Sequence, residues 1–578
     1  MSNAFIWVFL AISLFSSPIY TIKSDLNYEP NGDNSLLYRP GIDKVVNLDQ
    51  ETFGDTVFNS SAATLVEIYK DWCGHCRKFT PVYRAFAKSV QNWNEYVQVA
   101  ALNCADLHNR KVCNSTRQIG KKTVPSMKLY PPQSANFKDA FEFDPNRTVD
   151  EMRHLLVDTL MEQENKWKGG SKSLLPVKVV VEDSHCASLK DILKEVWRKV
   201  SSAQITNVAA IFAETDGLND AVALKLDLSP YKERLDVFLV DSNSKLAEML
   251  EIKTFPTVAL FKKGDDSPVS ITALDNSSAS SIVHSAGLSP VGSQIEDKED
   301  NSTKHDIVDC DKEPEECKKL YYVSERDMLK ALRMALYNEV LNEDFREGKD
   351  FDNIKEFLEI LIEEMKNSLR AHQLFEDLMG FLHSKEGDRK FTATEWNSTF
   401  LDAEKKNEFP FPDKDADWEH CHGTSIEFRG FTCGLWTAFH TFTVHSYLNG
   451  KNNGIDTDDA TNGTISPLKP LKAIQGWADS FFSCSHCRTH FLKMTQEEFP
   501  MDETKVKKPE DAFLYLWEAH NLVNNHLKGD QTEDPQFKKY QFPPAFLCND
   551  CRTNEKDYDM KRVQEFLVEY YTNIKPHH

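Results

Sequence analysis

At 578 residues the chain is too long for one hydrophobic core, and about 100–200 residues per domain predicts several units. Its hydrophobic content of 40%, with Phe 36 against Gly 22, is enough to build packed cores and argues against a disordered chain. A formal net charge of -22 argues against nucleic acid or an anionic membrane surface as partner, since both demand a basic face.

The chain opens on MSNAFIWVFLAISLFSSPIY, whose apolar run from Ala4 to Phe15 and following small residues read as a secretory signal over residues 1–23. That run is short of the ~20 residues a bilayer span needs, and no later stretch is long and apolar enough to supply a transmembrane segment. N-x-S/T sequons begin at Asn59, Asn114, Asn146, Asn276, Asn301, Asn397 and Asn462, as glycosylation in a secretory lumen would use. The expected location is the secretory pathway, in the Golgi lumen or outside the cell. Thirteen cysteines suit such an oxidising compartment. They fall into the local pairs Cys73/Cys76, Cys104/Cys113, Cys310/Cys317, Cys421/Cys433, Cys484/Cys487 and Cys548/Cys551, with Cys186 left over.

In chain order, ATLVEIYKD reads as a strand, CRKFTPVYRAFAKSVQNW as a helix, and YVQVAALNC and TVPSMKLYPP as further strands, which predicts an α/β unit over residues 35–165. LPVKVVVED, CASLKDILKEVWRKV, NVAAIFAE, LDVFLVD and KTFPTVALFKKGD repeat that plan over 172–290, without paired cysteines at the first strand-to-helix turn. Polar, breaker-rich stretches around Gly169 and from Ser289 to Asp306 read as linkers. Residues 307–405 become helical, through YYVSERDMLKALRMALYNEVL, IKEFLEILIEEMKNSL and ATEWNSTFLDAE, and carry no cofactor-like residues, so a scaffold role is expected. Further helices are predicted over 406–575.

A Cys-x-x-Cys at a helix start lowers the pKa of its first thiol, because unpaired backbone N–H groups and the helix dipole favour a thiolate. Cys73 is then the attacking sulfur and Cys76 the resolving one. Glu67, on the strand before them, is expected to be a buried, water-linked proton acceptor for Cys76, although an exposed strand end would explain it too. Zinc is the usual competitor for this spacing, but no second pair lies close in sequence, so no metal is expected. Cys104 and Cys113 read as a structural bridge closing a short loop. The pentapeptide WCGHC resembles the active site of the protein disulfide isomerase type of thioredoxin-like domain. That resemblance implies a cis Pro125 facing the dithiol to align an extended substrate, with Pro256 its equivalent in the redox-silent second copy.

A second constellation surrounds FSCSHCRTH, with Cys484 and Cys487 near a helix start. Trp436 and His440, and likewise His486 and His490, stand four apart on a helical face, while WEAHNLVNNH brings Trp517, His520, Asn521 and Asn524. Such residues are often plain core, but together they suggest a pocket for a flat ligand with polar edges. This pattern resembles the Erv-like flavin sulfhydryl oxidases, and with the front domain the chain resembles a quiescin sulfhydryl oxidase through RGFTCGLWTAFHTF, CSHCRTHF, WEAHNLVN and DPQFKKYQFPPAFLCNDC. The implied architecture is multidomain α/β plus all-α: two thioredoxin-like domains, a helical scaffold domain, and an FAD-binding four-helix-bundle domain. The implied FAD contacts are Arg429, Trp436, His440, His486, His490, the run Trp517 to Asn524 (with His520 and Asn521), Lys539 and Phe542, where the family usually has Trp. The resemblance also implies a Cys421/Cys433 bridge and a distal Cys548/Cys551 disulfide; a four-thiolate zinc site joining Cys548/Cys551 to Cys484/Cys487 is the alternative.

The expected activity is an FAD-dependent thiol oxidase that forms disulfides in reduced or unfolded secretory proteins. Electrons would pass from substrate thiols to Cys73/Cys76, then Cys484/Cys487, then FAD, and reduce O2 to hydrogen peroxide. The alternatives are a disulfide isomerase without its own oxidase activity and a zinc-stabilised binding protein without turnover.

Overall fold

The computed structural model describes most of residues 36–577; residues 1–35, 59, 118–122, 164–176, 180–187, 215–217, 276, 290–306, 367–370, 414–415, 426–427, 453–465, 555–556 and 578 lie outside the described residues. Among these fall the expected signal, Asn59, Asn276, Asn301, Asn462, Cys186, the linker around Gly169 and nearly all of the one from Ser289 to Asp306.

The run ATLVEIY forms a strand buried along its whole length, which an extended segment tolerates only where both faces of its sheet are covered. With β1 (Val46–Leu48), β2 (Ala63–Tyr69), β3 (Val97–Asn103), β4 (Ser126–Tyr130) and β5 (Phe141–Phe143), the first sheet has the order β1-β3-β2-β4-β5. β1 and β2 run parallel to β3, while β4 is antiparallel to both β2 and β5. The register sets Glu67 between Ala101 on β3 and Met127 on β4, in the middle of the sheet. Helix Gly74–Ser89 leaves the end of β2 and turns Cys76, Phe79, Thr80, Tyr83, Phe86 and Ala87 inward, the three-to-four spacing of one helical face.

The second unit has β6 (Val177–Val179), β7 (Asn207–Ala213), β8 (Leu235–Asp241), β9 (Thr257–Lys262) and β10 (Ser270–Ala273), in the order β6-β8-β7-β9-β10. Position by position this is the topology of the first sheet, so both units are thioredoxin-like. The equivalent of the dithiol position follows β7, not β6 as the sequence pattern had it, and the sequence there has no cysteine. The two units touch directly. Asp227 accepts from Trp93 Nε1 at 2.7 Å and pairs with Arg153 at 2.8 Å, and its carbonyl accepts from Asn92 Nδ2 at 3.0 Å.

From Pro314 onward the fold is helical, with Glu325–Arg333, Lys349–Glu364, His372–Ser384 and Ala393–Lys406 ahead of Phe431–Asn452, Lys469–Phe481, Ser485–Lys493, Pro509–Leu527 and Met560–Thr572. His372–Ser384 was not among the predicted helices. Both stretches share one core: the Phe357 ring lies 5.6 Å from Trp477 and 6.1 Å from Phe442. Glu325–Arg333 crosses Phe431–Asn452 so closely at Gly434 that a Cβ there would lie 2.7 Å from the Asp327 carbonyl oxygen. Five of the six local cysteine pairs are disulfides: Cys104–Cys113, Cys310–Cys317, Cys421–Cys433, Cys484–Cys487 and Cys548–Cys551. Cys73 and Cys76 are thiols. With Cys548 and Cys551 bonded to each other, no four-thiolate zinc site joins them to Cys484 and Cys487.

Candidate active site

Cys73 caps the N-terminus of helix Gly74–Ser89, where the unpaired amides of the first turn face its sulfur. Burial pushes the Cys73 thiol up, but hydrogen bonds from the Cys76 side chain and from the Cys76 and His75 backbones outweigh it and leave the thiol below its ordinary value. Burial pushes Cys76 well up, and the neighbouring Cys73 adds to this. The environment therefore divides the two sulfurs into a nucleophile and a reluctant acid. Glu67 is fully buried, as expected, and burial raises its carboxyl to about 8 against a hydrogen bond from Tyr38 that lowers it. Its other oxygen, Oε1, lacks a hydrogen-bond partner among the described residues. The peptide bond before Pro125 is cis, as is that before Pro256.

The Cys73 sulfur lies 3.0 Å from the Cys484 sulfur, across 411 residues of chain, and both cysteines are completely buried. Cys484 is itself bonded to Cys487 and caps helix Ser485–Lys493, so a thiol that starts one helix faces a disulfide that starts another. Around them the Trp72 ring stacks on Phe482 at 5.5 Å and meets the edge of Phe431 at 5.0 Å, an aromatic wall that excludes water. The His75 and His486 rings meet at 3.5 Å. Burial and then His486 push His75 down to about 4. Pro125, Arg147 and Glu142 from the first unit and Ser485, His486 and Thr489 from the helical domain line a cavity of about 490 Å³ beside this junction. Cys73, Cys484 and Cys487 are the one group of potential metal ligands among the described residues, with their sulfurs within 4.8 Å, but two of the three are spent in a disulfide.

Behind Cys487 the helical domain brings together most of the other expected residues. Trp436 stacks on His520 at 4.1 Å, His440 on His520 at 5.2 Å and His440 on Tyr571 at 4.9 Å. His440 Nε2 and His520 Nδ1 lie 2.9 Å apart, and burial holds both imidazoles neutral, His440 at about 3 and His520 well below its ordinary value. Trp517 Nε1 and Asn521 Nδ2 both donate to the Phe542 carbonyl, at 2.6 and 2.9 Å, while Asn524 Nδ2 donates to that of Tyr540. Arg429 has a φ of 59°, a left-handed backbone that a branched-chain or bulky residue adopts only under constraint, and its guanidinium lies 3.7 Å over Phe537. Arg429 is half-buried, with its Nε buried and unpartnered among the described residues, and burial followed by the charge of Arg429 pushes Lys539 below its ordinary value. His486 and His490 stand apart from this cluster: His490 stacks on His486 at 6.1 Å and lies tilted against His526 at 4.7 Å, continuing the line from His75.

The sequence did not single out Lys70, Glu339 and Ser483, which bind the two redox turns to each other, nor His420, whose carbonyl and ring hold Arg429. Lys70 carried one available signal, a lysine at the end of a fully buried strand, which demands a partner. Of the sequons among the described residues, Asn146 is exposed, Asn114 donates to Asp344 at 3.0 Å and Asn397 accepts from Tyr337 at 2.6 Å.

Comparison with known proteins agrees with this division of the chain. Residues 44–154 match the thioredoxin family model and residues 433–543 that of the Erv1 / Alr family. Sulfhydryl oxidase 1 of Cavia porcellus is 27% identical over 545 residues, 92% of this chain and 81% of the relative. Sulfhydryl oxidase 2 of Homo sapiens is 28% identical over 554 residues, 93% of this chain and 74% of the relative. Among solved structures, a sulfhydryl oxidase fragment of human QSOX1 aligns with 44% of this chain and 98% of its own length, at 27% identity and a TM-score of 0.38. A thioredoxin-like front, an Erv1/Alr unit behind it, and similarity to sulfhydryl oxidases along more than nine-tenths of the sequence make this chain similar to the quiescin sulfhydryl oxidases and support a thiol oxidase that introduces disulfides.

Proposed function

We propose that the chain oxidises thiols of reduced or unfolded proteins through an internal two-site relay that ends on FAD. The observation that carries this reading is the 3.0 Å separation between the free Cys73 sulfur and the Cys484 sulfur of the Cys484–Cys487 disulfide. In the first half of the cycle a substrate thiolate attacks the Cys73–Cys76 disulfide, and the substrate leaves oxidised with the pair reduced. In the second, the Cys73 thiolate attacks Cys484. The Cys73–Cys484 bond forms, the Cys484–Cys487 bond breaks, and Cys487 leaves as a thiolate. Cys76, once deprotonated, attacks Cys73 and releases Cys484, so that two electrons have moved to the helical domain. Glu67, with its carboxyl at about 8, takes the Cys76 proton through water. Once the helical domain has withdrawn, Pro125 with Glu142 and Arg147 of the same unit aligns the backbone of the substrate.

The residues behind Cys487 fit FAD. Arg429, with a buried and unpartnered Nε, and the neighbouring Lys539 suit a pyrophosphate, while the Trp436, His440 and His520 stack suits flat ring systems. Trp517, Asn521, Asn524 and Phe542 close one side, with His486 and His490 toward the disulfide. When bound, FAD takes two electrons from a dithiol and passes them to O2, giving hydrogen peroxide. The chain's own part is to hold Cys487 as a thiolate beside the pocket, to keep His440 and His520 neutral, and to exclude bulk water. Residues 35–165, 172–290, 307–405 and 406–575 serve as relay, spacer, scaffold and oxidase units. The location that suits this chemistry is the Golgi lumen or the extracellular space, with Asn114, Asn146 and Asn397 as glycan sites.

The test is oxygen consumption on wild type, Cys73→Ala and Cys487→Ala, with a visible spectrum of each. A yellow wild type that consumes oxygen, a dead Cys487→Ala, and a Cys73→Ala variant that loses protein substrates but keeps some small-dithiol turnover support the relay. A colourless protein without oxygen uptake overturns it and leaves a disulfide isomerase.

A further inference from the structure

The helical stretch before the oxidase unit was expected to be a passive scaffold, yet it inserts one carboxylate between the two redox turns. Glu339 follows the π-helical turn Met334–Asn338, and its side chain and that of Lys70 are each only 1% exposed. Lys70 Nζ donates to Glu339 Oε1 at 2.8 Å and to Asn342 Oδ1 at 3.1 Å. The other carboxylate oxygen, Oε2, accepts from the backbone N–H of Ser483 at 2.9 Å. Lys70 belongs to the first redox turn: its carbonyl accepts from the Cys73 N–H at 3.0 Å, and its own N–H faces the Cys76 sulfur at 3.5 Å. Ser483 directly precedes Cys484, in the break between helices Lys469–Phe481 and Ser485–Lys493, where its N–H lies outside any helical ladder. One carboxylate therefore ties the Lys70 side chain of one turn to the Ser483 backbone of the other, the two turns whose sulfurs stand 3.0 Å apart.

The segment that carries Glu339 is fixed independently of that carboxylate. Arg346 donates to the carbonyls of Glu339 and Val340 at 3.1 and 3.0 Å, and from the first thioredoxin-like unit Arg110 and Arg117 donate to those of Leu341 and Asn342, each at 3.1 Å. Those bonds use backbone oxygens and survive replacement of the Glu339 side chain.

We propose that Glu339 is a positioning residue for electron transfer between the two dithiol sites: a clamp that forms only in the closed arrangement and sets the register in which Cys73 meets Cys484. This rests on the relay proposed above. A buried ion pair repays little beyond its own desolvation, so the clamp adds register more than affinity and can be released in every cycle. When the domains separate, Lys70 and Glu339 regain water. When they close, a carboxylate without Lys70, or a Lys70 without its carboxylate, is left as a buried unpaired charge, and the closed arrangement is disfavoured. The step served is the exchange already balanced: the Cys73–Cys484 bond forms as Cys484–Cys487 breaks.

The experiment uses the full chain and the variants Glu339→Gln and Lys70→Met, which lie on different units. Two readouts are taken: kcat and KM for oxygen uptake with a reduced unfolded protein, as a ratio to turnover with dithiothreitol, and the yield of the Cys73–Cys484 mixed disulfide in a Cys76→Ser/Cys487→Ser background, by non-reducing peptide mass mapping. The expected result is a fall in kcat and in that ratio of at least about tenfold for either variant, no rise in KM, and a matching loss of trapped mixed disulfide. A purely structural role would lower both substrates together and spare the ratio. If Glu339→Gln does not fold, Lys70→Met decides alone. The proposal is overturned if the variants keep the ratio within about twofold and trap normally while Cys73→Ala abolishes oxidation of protein. If Cys73→Ala also retains that oxidation, it is the relay that fails, and the clamp with it.

Discussion

Replacing Glu67 with glutamine removes a proton acceptor while keeping the volume of the side chain. The Glu67 carboxyl is raised to about 8, first by burial, with the Tyr38 hydrogen bond and the Arg147 charge restraining it. At pH 7.5 roughly a quarter of such a group is ionised, enough to act as a base. Cys76, raised well above its ordinary thiol value by burial and by Cys73, is then at most a few per cent thiolate on its own. A positioned base is worth about 10²–10⁴ in rate, and a path through water favours the low end, so Glu67→Gln is expected to lower kcat for reduced protein about 100-fold at pH 7.5, or ~2.7 kcal/mol of barrier. The assay is oxygen uptake from pH 6 to pH 9.5. Wild type rises through about pH 8 and levels off, whereas the glutamine variant rises only toward the higher pKa of Cys76. Tyr38→Phe deletes the bond that lowers Glu67 and moves the wild-type inflection upward. Stability follows the same carboxyl. Its folded pKa lies above its unfolded one, so the protonated form supports the fold below 4.5, and that support is lost as pH rises through about 8. Glu67→Gln flattens this decline. A glutamine variant that keeps the inflection near 8 with kcat within about threefold of wild type would refute the reasoning.

Removing the Cys104–Cys113 bridge with a Cys104→Ala/Cys113→Ala variant is expected to cost ~2–3 kcal/mol and several degrees of melting temperature while the ratio of protein to dithiothreitol turnover holds; a changed ratio at unchanged stability would give that bridge a redox role. Arg429→Met should lower bound flavin per chain at least about tenfold at equal protein concentration with the helical circular dichroism retained, and full flavin content would remove Arg429 from the pocket. At the junction, burial and then His486 push His75 down to about 4, while burial and then His490 lower His486; Arg147, Lys78 and His526 add positive charge there and Asp530 opposes it. Docking that lowers a histidine pKa is favoured above the ordinary value of 6.5 and lost as pH falls toward 4. Small-angle scattering between pH 7.5 and pH 4.5 should therefore show the chain opening, less so for His486→Asn, and an equal response of both proteins would exclude the pair as the cause.

The local elements were legible because their causes are local. Complete burial of ATLVEIY showed in its β-branched run, the helix Gly74–Ser89 in its three-to-four spacing, and five disulfides in cysteine pairs never more than 12 residues apart. Helix His372–Ser384, HQLFEDLMGFLHS, escaped because it has no capping side chain at its start, where the N-cap position is Ala371. The second unit's redox-equivalent turn was misplaced by one strand because β6 and the helix Leu189–Lys199 after it are themselves a strand-to-helix step, the counterpart of β1 and helix Thr52–Val57. Trp436, His440 and the run Trp517 to Asn524 suggested a flat-ligand pocket by their spacing, but the expected FAD contacts, Arg429 among them, came only through resemblance, since periodicity alone cannot tell a stacked pocket from a core. Glu339 was beyond sequence reasoning altogether: its partners are 269 residues upstream and 144 downstream, and nothing in YNEVLNED marks one acid among three as buried.

The closed arrangement is also one in which the first site can accept nothing from a substrate. Cys73 is wholly buried, and the face of Pro125, where an extended peptide would align, is covered by Ser485, His486 and Thr489. Substrate and helical domain thus compete for one surface, and each turnover of the proposed relay requires the domains to part. An interface that must open repeatedly cannot be held mainly by a large apolar area, which would make closure too favourable to reverse. What holds this one at its centre is the Trp72–Phe482 stack and a carboxylate clamp whose ions recover their hydration on separation. The contacts between the two thioredoxin-like units run through Asp227, Trp93 and Arg153, none of them a residue of that seam, so they need not break when it opens. The burial of Cys73 and the weakness of its clamp are then one requirement: sulfurs that exchange without water must be enclosed, and what encloses them must let go.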